Sequence, residues 1–164
     1  MLITLMLMST ITQANEADLS KYFRFAYRET GVNAQIIRSI CWTESGLKPN
    51  VKNHKDGTDG KTSYGICQIK LDTAKTAGFS ITLPITKRPL TAKQIERLEV
   101  KELMKPDVNI LYAAKYFSMC LKRYRNDMAA ALTGYNRGIN NPSNVKDKYN
   151  KYVAKVLTAF YEVR

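Results

Sequence analysis

The sequence predicts a mainly α, single globular domain with a small β element near its middle. Three observations carry that prediction. Apolar residues recur every three or four positions over most of the chain, capping residues and glycines punctuate those stretches, and only Ser63 to Ile69 reads as compact and partly β-like. The 164 residues and 45% hydrophobic content suffice for one core. No internal repeat or low-complexity segment divides the chain.

Taken in order, Asp18 caps a first helix with Leu19, Tyr22, Phe23, Ala26 and Tyr27 on one face, stopping at Gly31. Asn33 caps a second helix that runs to Gly46. From Gly46 and Pro49 through Lys61 the chain is polar, without an apolar period, and reads as a long surface loop. After the β-like segment, Asp72 to Lys75 starts a short helix ending at Gly78, and Phe79 to Leu90, with Pro84 and Pro89, connects onward. Thr91 and Gln94 form a capping-box pattern for a helix to about Met104, broken by Pro106. Asp107 caps the next helix, whose face carries Val108, Leu111, Tyr112, Lys115, Tyr116, Met119 and Cys120. Asp127 starts the stretch Met128 to Thr133, and a final helix carries Tyr149, Tyr152, Val153, Val156, Leu157 and Phe160.

Glu44 is the residue of chemical interest. Ile37, Ile40, Cys41 and Glu44 share one helical face, so the stripe of buried side chains ends in a carboxyl group. Partial desolvation there disfavours the charged form, which suits a general acid. Taken alone, an exposed Glu at a helix end explains the same residue.

The net charge of +12 is dispersed, with no long run of like charges, so it belongs to a folded surface. Such a field attracts polyanions: nucleic acid, anionic lipid or the acidic polymers of a bacterial envelope. Met1 to Ala14 is uncharged, apolar from Leu2 to Met8, and ends Thr12-Gln13-Ala14, which reads as a short secretory signal peptide ahead of a domain at 15–164. The alternative is a buried N-terminal segment, since the usual Lys or Arg before the apolar run is missing. No stretch is long enough to span a bilayer, so no stable membrane insertion is expected.

Cys41, Cys67 and Cys120 lack the spacing of a zinc site, and His54 is the only histidine. In an exported chain one disulfide and one free thiol are permitted, and Cys41 with Cys67 is the preferred pair because both flank the candidate site. Three buried thiols are the alternative. Connectivity does not follow from sequence.

Three segments resemble one pattern in order and spacing: Glu44-Ser45-Gly46, then Ser63-Tyr64-Gly65-Ile66-Cys67-Gln68-Ile69, then Ala131-Leu132-Thr133-Gly134-Tyr135-Asn136-Arg137-Gly138. With the stretch Met104 to Ile110 between the last two, followed by Ala113, Ala114 and Tyr116, they resemble the lytic transglycosylases with the goose-type-lysozyme-like fold. The resemblance covers about Ile36 to Val156. It implies an α+β lysozyme-like domain whose β element follows the helix bearing Glu44, and it makes Glu44 the catalytic residue, first acid and then base. The substrate implied is the glycan strand of peptidoglycan, cut between N-acetylmuramic acid and N-acetylglucosamine to leave a 1,6-anhydro end.

Gln68 then matches a polar contact beside the acid, and Tyr135 and Asn136 match a Tyr-Asn pair whose phenol can hydrogen-bond the carboxyl while its ring borders a sugar. Ser63 and Tyr116 are further candidate substrate contacts. The departures are Lys70-Leu71-Asp72, where Met-Pro-Ser/Thr is frequent, and Cys67, where Met is frequent. They alter the expected pocket wall and leave the acid in place. No metal or organic cofactor is implied. The partners implied are components of a secretion, conjugation or phage-entry apparatus, with the enzyme acting as a periplasmic, secreted or virion-associated monomer.

The rival chemistry is hydrolysis, in which Asp56 or Asp59 would activate water on the opposite face of the sugar. A non-catalytic wall-binding module is a second rival. Nucleic-acid binding is not expected, because Lys115-Tyr116-Phe117 and Lys122-Arg123-Tyr124-Arg125 fall at helical spacing and an exported chain would not meet nucleic acid.

Overall fold

The computed structural model describes residues 19–56, 60–86 and 88–162. The Met1–Ala14 leader and the Asp18 cap lie outside the described residues. Among the described residues the chain forms seven helices and one small sheet. Helix α1 covers residues 19–30, and its Phe23 and Ala26 are buried while Tyr27 turns out to be 53% exposed. Helix α2 spans Ala34–Ser45. The Asn33 side chain accepts from Gln35 N to start it, and Gly46, in the left-handed conformation, returns its N–H to the Trp42 carbonyl to end it.

The polar stretch expected as a loop contains strand β1, Lys52–Asp56, paired antiparallel with β2, Lys61–Tyr64. Its backbone pairs although its residues are polar and the side chains of Lys52, Asn53 and His54 are exposed, so no alternation of apolar residues announces it. Strand β3, Ile69–Lys70, completes the sheet in the order β1-β2-β3. The register Tyr64↔Ile69 closes a tight turn over residues 65–68.

Helix α3, Leu71–Thr76, follows directly, and α4, Ala92–Leu103, opens with the expected Thr91–Gln94 capping box. Helix α5 spans Pro106–Arg123. Its N-cap is Lys105 with Pro106 at the first helical position, so Asp107 lies in the first turn instead of capping it. Proline belongs there because that N–H has no helical partner to lose. Helix α6, Met128–Arg137, is capped by Asp127, and α7 spans Lys151–Glu162, leaving Tyr149 outside the helix and 85% exposed.

The core gathers Ile37 and Ile40 from α2, Ile66 from the turn, Ile110 and Phe117 from α5, Leu132 from α6 and Val156 from α7, all essentially inaccessible to water. Helix α5 sits at the centre, touching α2, α3, α4, α6 and β3. Helix α7 closes over α2. That arrangement brings the C-terminal turn of α2, the 65–68 turn and the start of α7 to one place. No described helix is long and apolar enough to cross a membrane.

Candidate active site

The 65–68 turn is fastened from three helices. Cys67 is disulfide-bonded to Cys41 of α2, and Ser45 Oγ donates to the Ile66 carbonyl at 2.5 Å. From α5, the buried Asn109 accepts from Cys67 N at 2.9 Å and donates to the carbonyls of Tyr64 and Leu103, both at 2.9 Å. Tyr135 of α6 donates its hydroxyl to the Cys67 carbonyl at 2.9 Å. Backbone groups that a tight buried turn would otherwise leave unpaired are therefore satisfied by side chains. Gly65 is required here twice over: its φ is +75°, and a Cβ would lie 2.5 Å from Asn109 Nδ2.

Glu44 is half-buried and lies between Cys41 and Ser45, the two α2 residues bonded to this turn. Tyr152 Oη donates to its Oε1 at 2.7 Å. The first turn of α7 places that phenol. Asn150 accepts from the backbone N–H groups of Tyr152 at 2.9 Å and Val153 at 3.2 Å, and its amide donates to Thr133 Oγ1 of α6 at 2.9 Å. Asn150 thus caps α7 and ties it to α6. Val153 and Val156 bury beneath it, which fixes the rotation that aims Tyr152 at α2.

Burial, and after it the nearby charge of Glu44, pushes the phenols of Tyr135 and Tyr152 well above their usual range. Both stay neutral donors at any ordinary pH. Among the described residues no group of three or more His, Cys, Asp or Glu is placed to hold a metal. Cys120 is the free thiol, and burial pushes it up to about 12, out of the range of a nucleophile.

A half-buried carboxyl group that accepts from a neutral phenol has the make-up that acid–base chemistry needs, and the comparisons with known proteins bear on the family to which it belongs. The family described as "Transglycosylase SLT domain" matches residues 21–157. The chain belongs to that family. Among solved structures, the X-ray structure of an inactive Glu-to-Gln mutant of the lytic transglycosylase Slt from Pseudomonas aeruginosa is similar, with a TM-score of 0.62 and 21% sequence identity. The match covers 85% of this chain and 23% of that one, so this SLT domain spans less than a quarter of that protein's length and the likeness is one of fold.

Within the SLT domain, the residues singled out by sequence do not all meet at Glu44. Gln68 adopts a φ of +48° and spends its amide N–H groups on the carbonyls of Gly65 at 2.8 Å and Val51 at 3.2 Å, which makes it a brace between the turn and the segment leading into β1. Tyr135 bonds the turn's backbone, so the expected phenol-to-carboxyl bond is made by Tyr152 instead. Asn136 is exposed and Ser63 is buried in β2. Tyr116 is buried, accepts from Ile139 N at 3.0 Å and packs its ring 5.8 Å from that of Tyr135, and burial raises it to about 12. Tyr116 thereby supports Tyr135 from behind.

Sequence reasoning missed Tyr152 and Asn109. In the sequence Tyr152 stands only as one residue of the apolar face of the last helix, and Asn109 only as part of a matching stretch. The signal for Asn109 was a polar residue whose helical spacing to Ala113, Tyr116 and Cys120 puts it on the buried face. Asp59 lies outside the described residues, and only the backbone of Asp56 is described.

Proposed function

We propose that this SLT domain is a peptidoglycan lytic transglycosylase that cleaves the bond between N-acetylmuramic acid and N-acetylglucosamine without consuming water. The observation that carries the reading is Glu44, half-buried beside the α2 residues that brace the turn and bonded to Tyr152. A neutral phenol bonded to Oε1 keeps that oxygen an acceptor, so the transferable proton belongs on Oε2. Oε2 protonates the leaving glycosidic oxygen, and the charge left on the carboxylate is met by the Tyr152 hydroxyl. The same carboxylate then takes the proton of the muramic C6 hydroxyl as its oxygen closes onto C1. One residue serves both steps, and the strand ends in a 1,6-anhydro ring.

Five of the other described carboxylates, Asp72, Glu99, Glu102, Asp127 and Asp147, are tied up in ion pairs with a lysine or arginine. In the similar Slt protein a Glu-to-Gln mutant is inactive, which supports an essential glutamate. Digestion of murein in isotopically labelled water, read by mass spectrometry, decides the chemistry. Unlabelled anhydro ends are expected. A labelled reducing end would instead mean hydrolysis, with Asp56 or Asp59 as the base to test next.

The reading extends to where the enzyme works. A disulfide joining the catalytic helix to the site turn forms and persists in an oxidising compartment, which supports export to the periplasm behind the apolar Met1–Ala14 leader. Local opening of the wall for a secretion, conjugation or phage-entry apparatus is the task its resemblance implies. A fusion carrying the first 14 residues should deliver a reporter outside the cytoplasm, and retention of that reporter inside would remove the export arm.

A further inference from the structure

A groove of about 550 Å³ runs between the β1–β2 hairpin and α4, apart from Glu44. Lys93, Arg97 and Lys101 follow one another at four-residue spacing along α4, and Lys52 of β1 faces them from the other wall. All four are exposed, and among the described residues none takes part in an ion pair. Five cations outside the groove, Lys61, Lys75, Lys105, Arg137 and Lys148, are each neutralised by a carboxylate. The adjacent ridge of α4 contributes Glu96, Val100 and Met104, and the ring of Tyr64 completes an apolar floor.

We propose that this groove binds the acidic peptide stem of the glycan strand being cut, an inference that rests on the peptidoglycan reading above. Four cations on an apolar floor recognise a flexible chain carrying several carboxylates. The carboxylate of Glu96 accepts an amine, which a stem built on a diamino acid supplies beside its carboxylates and a phosphate polymer lacks. The groove is continuous with the site through backbone bonds. Val51, next to Lys52, accepts from Gly65 N and from Gln68 Nε2, and Tyr64 immediately precedes Gly65. A sugar held at Glu44 and a stem held at Lys52 and Arg97 would read the substrate at two places.

The test uses the full chain carrying Glu44→Gln, so that strands bind without being cut. Affinity is measured for glycan strands bearing peptide stems and for the same strands stripped of stems by an amidase. Arg97→Ala combined with Lys101→Ala is expected to weaken binding of stem-bearing strands about tenfold, each exposed charge contact contributing a factor of about three. Stem-free strands should bind unchanged, and Arg97→Lys with Lys101→Arg should restore the loss.

Equal weakening on both kinds of strand, or no weakening, overturns the proposal. So does inorganic polyphosphate competing better than the free stem tripeptide. Circular dichroism checks folding, and Lys93→Glu alone gives a second reading at a single exposed position. Failure of the catalytic reading is seen separately, as absence of anhydro products from the unsubstituted enzyme whatever the groove binds.

Discussion

The 65–68 turn and the α4 groove sit side by side and are built on opposite rules. In the turn, the backbone groups of Tyr64, Gly65, Ile66 and Cys67 are matched by Asn109, Gln68, Ser45 and Tyr135, and a disulfide locks the whole to α2. In the groove, Lys52, Lys93, Arg97 and Lys101 extend into solvent without a carboxylate partner among the described residues. The first arrangement removes freedom, as the placing of one proton donor requires. The second keeps freedom, so a flexible charged ligand can be met in several poses. Positioning chemistry is bought with buried hydrogen bonds, whereas recognition of a mobile polymer uses exposed charge.

The largest effect should come from the group the turn exists to place. Glu44→Gln preserves shape and removes the acid, so murein cleavage is expected to fall about a thousandfold or more while the melting temperature barely moves. Release of anhydro-muropeptides against time measures the first, and calorimetry the second. Cleavage retained within tenfold would take Glu44 out of the mechanism.

Next in size is the bracket itself. Asn109→Ala strands Cys67 N–H and two carbonyls in a buried turn, and is expected to cost about 4 kcal/mol in urea unfolding. Gly65→Ala meets both a left-handed backbone and the Asn109 side chain, for a loss of about 3 kcal/mol. The exposed groove side chains satisfy no buried backbone group, so the effect of Arg97→Ala with Lys101→Ala on stability should be near zero by comparison. If the groove variants destabilise as much as Asn109→Ala, the contrast between the two regions fails.

How far the sequence discloses all this follows the same division. Helices with strong periodicity and caps were legible, because Asn33, Thr91 with Gln94, and Asp127 act locally and do cap helices in the structure. Strand β1 was not, since Lys52 to Asp56 gains its pairing from β2 and carries no apolar side chains of its own. At the site, Glu44 was readable because the stripe Ile37, Ile40, Cys41 leads to it along one helix face. Tyr152 was hidden for the opposite reason: 108 residues separate it from Glu44, and its neighbours Val153 and Val156 make it look like core. Local grammar singles out a carboxyl at the end of a buried stripe, and tertiary packing decides which residue bonds it.

Two tyrosines sharpen that point. Tyr152→Phe keeps the ring and deletes the donor on Glu44, and is expected to lower kcat about tenfold with KM and melting temperature little changed. Tyr135→Phe deletes a bond to the Cys67 carbonyl, so about 1 kcal/mol of stability should go and kcat should fall less. Steady-state kinetics on both, beside their unfolding curves, separates the roles. Reversal of the two patterns would show that Tyr135, as the sequence motif suggested, is the partner of the acid in solution.

The smallest effect is expected where the packed region meets solvent. Asp127 caps α6 by accepting from Ala130 N at 3.1 Å, and Lys148, on the approach to α7, donates to its other oxygen at 2.6 Å. Lys148 first, and the backbone bond second, hold the Asp127 carboxyl below its ordinary value. A carboxyl depressed in the folded state contributes stability above the unfolded value of about 3.9, and that contribution is lost as pH falls through the folded one. Asp127→Asn keeps the cap and removes the charge, and because the pair is partly exposed the loss at neutral pH should be only a few tenths of a kcal/mol. Urea midpoints for the two proteins should therefore differ slightly at pH 7, converge below about pH 4, and converge also in high salt. A difference that persists unchanged through acid would mean that Asp127 acts through its cap geometry and that charge, decisive in the groove, counts for nothing at the edge of the packed site.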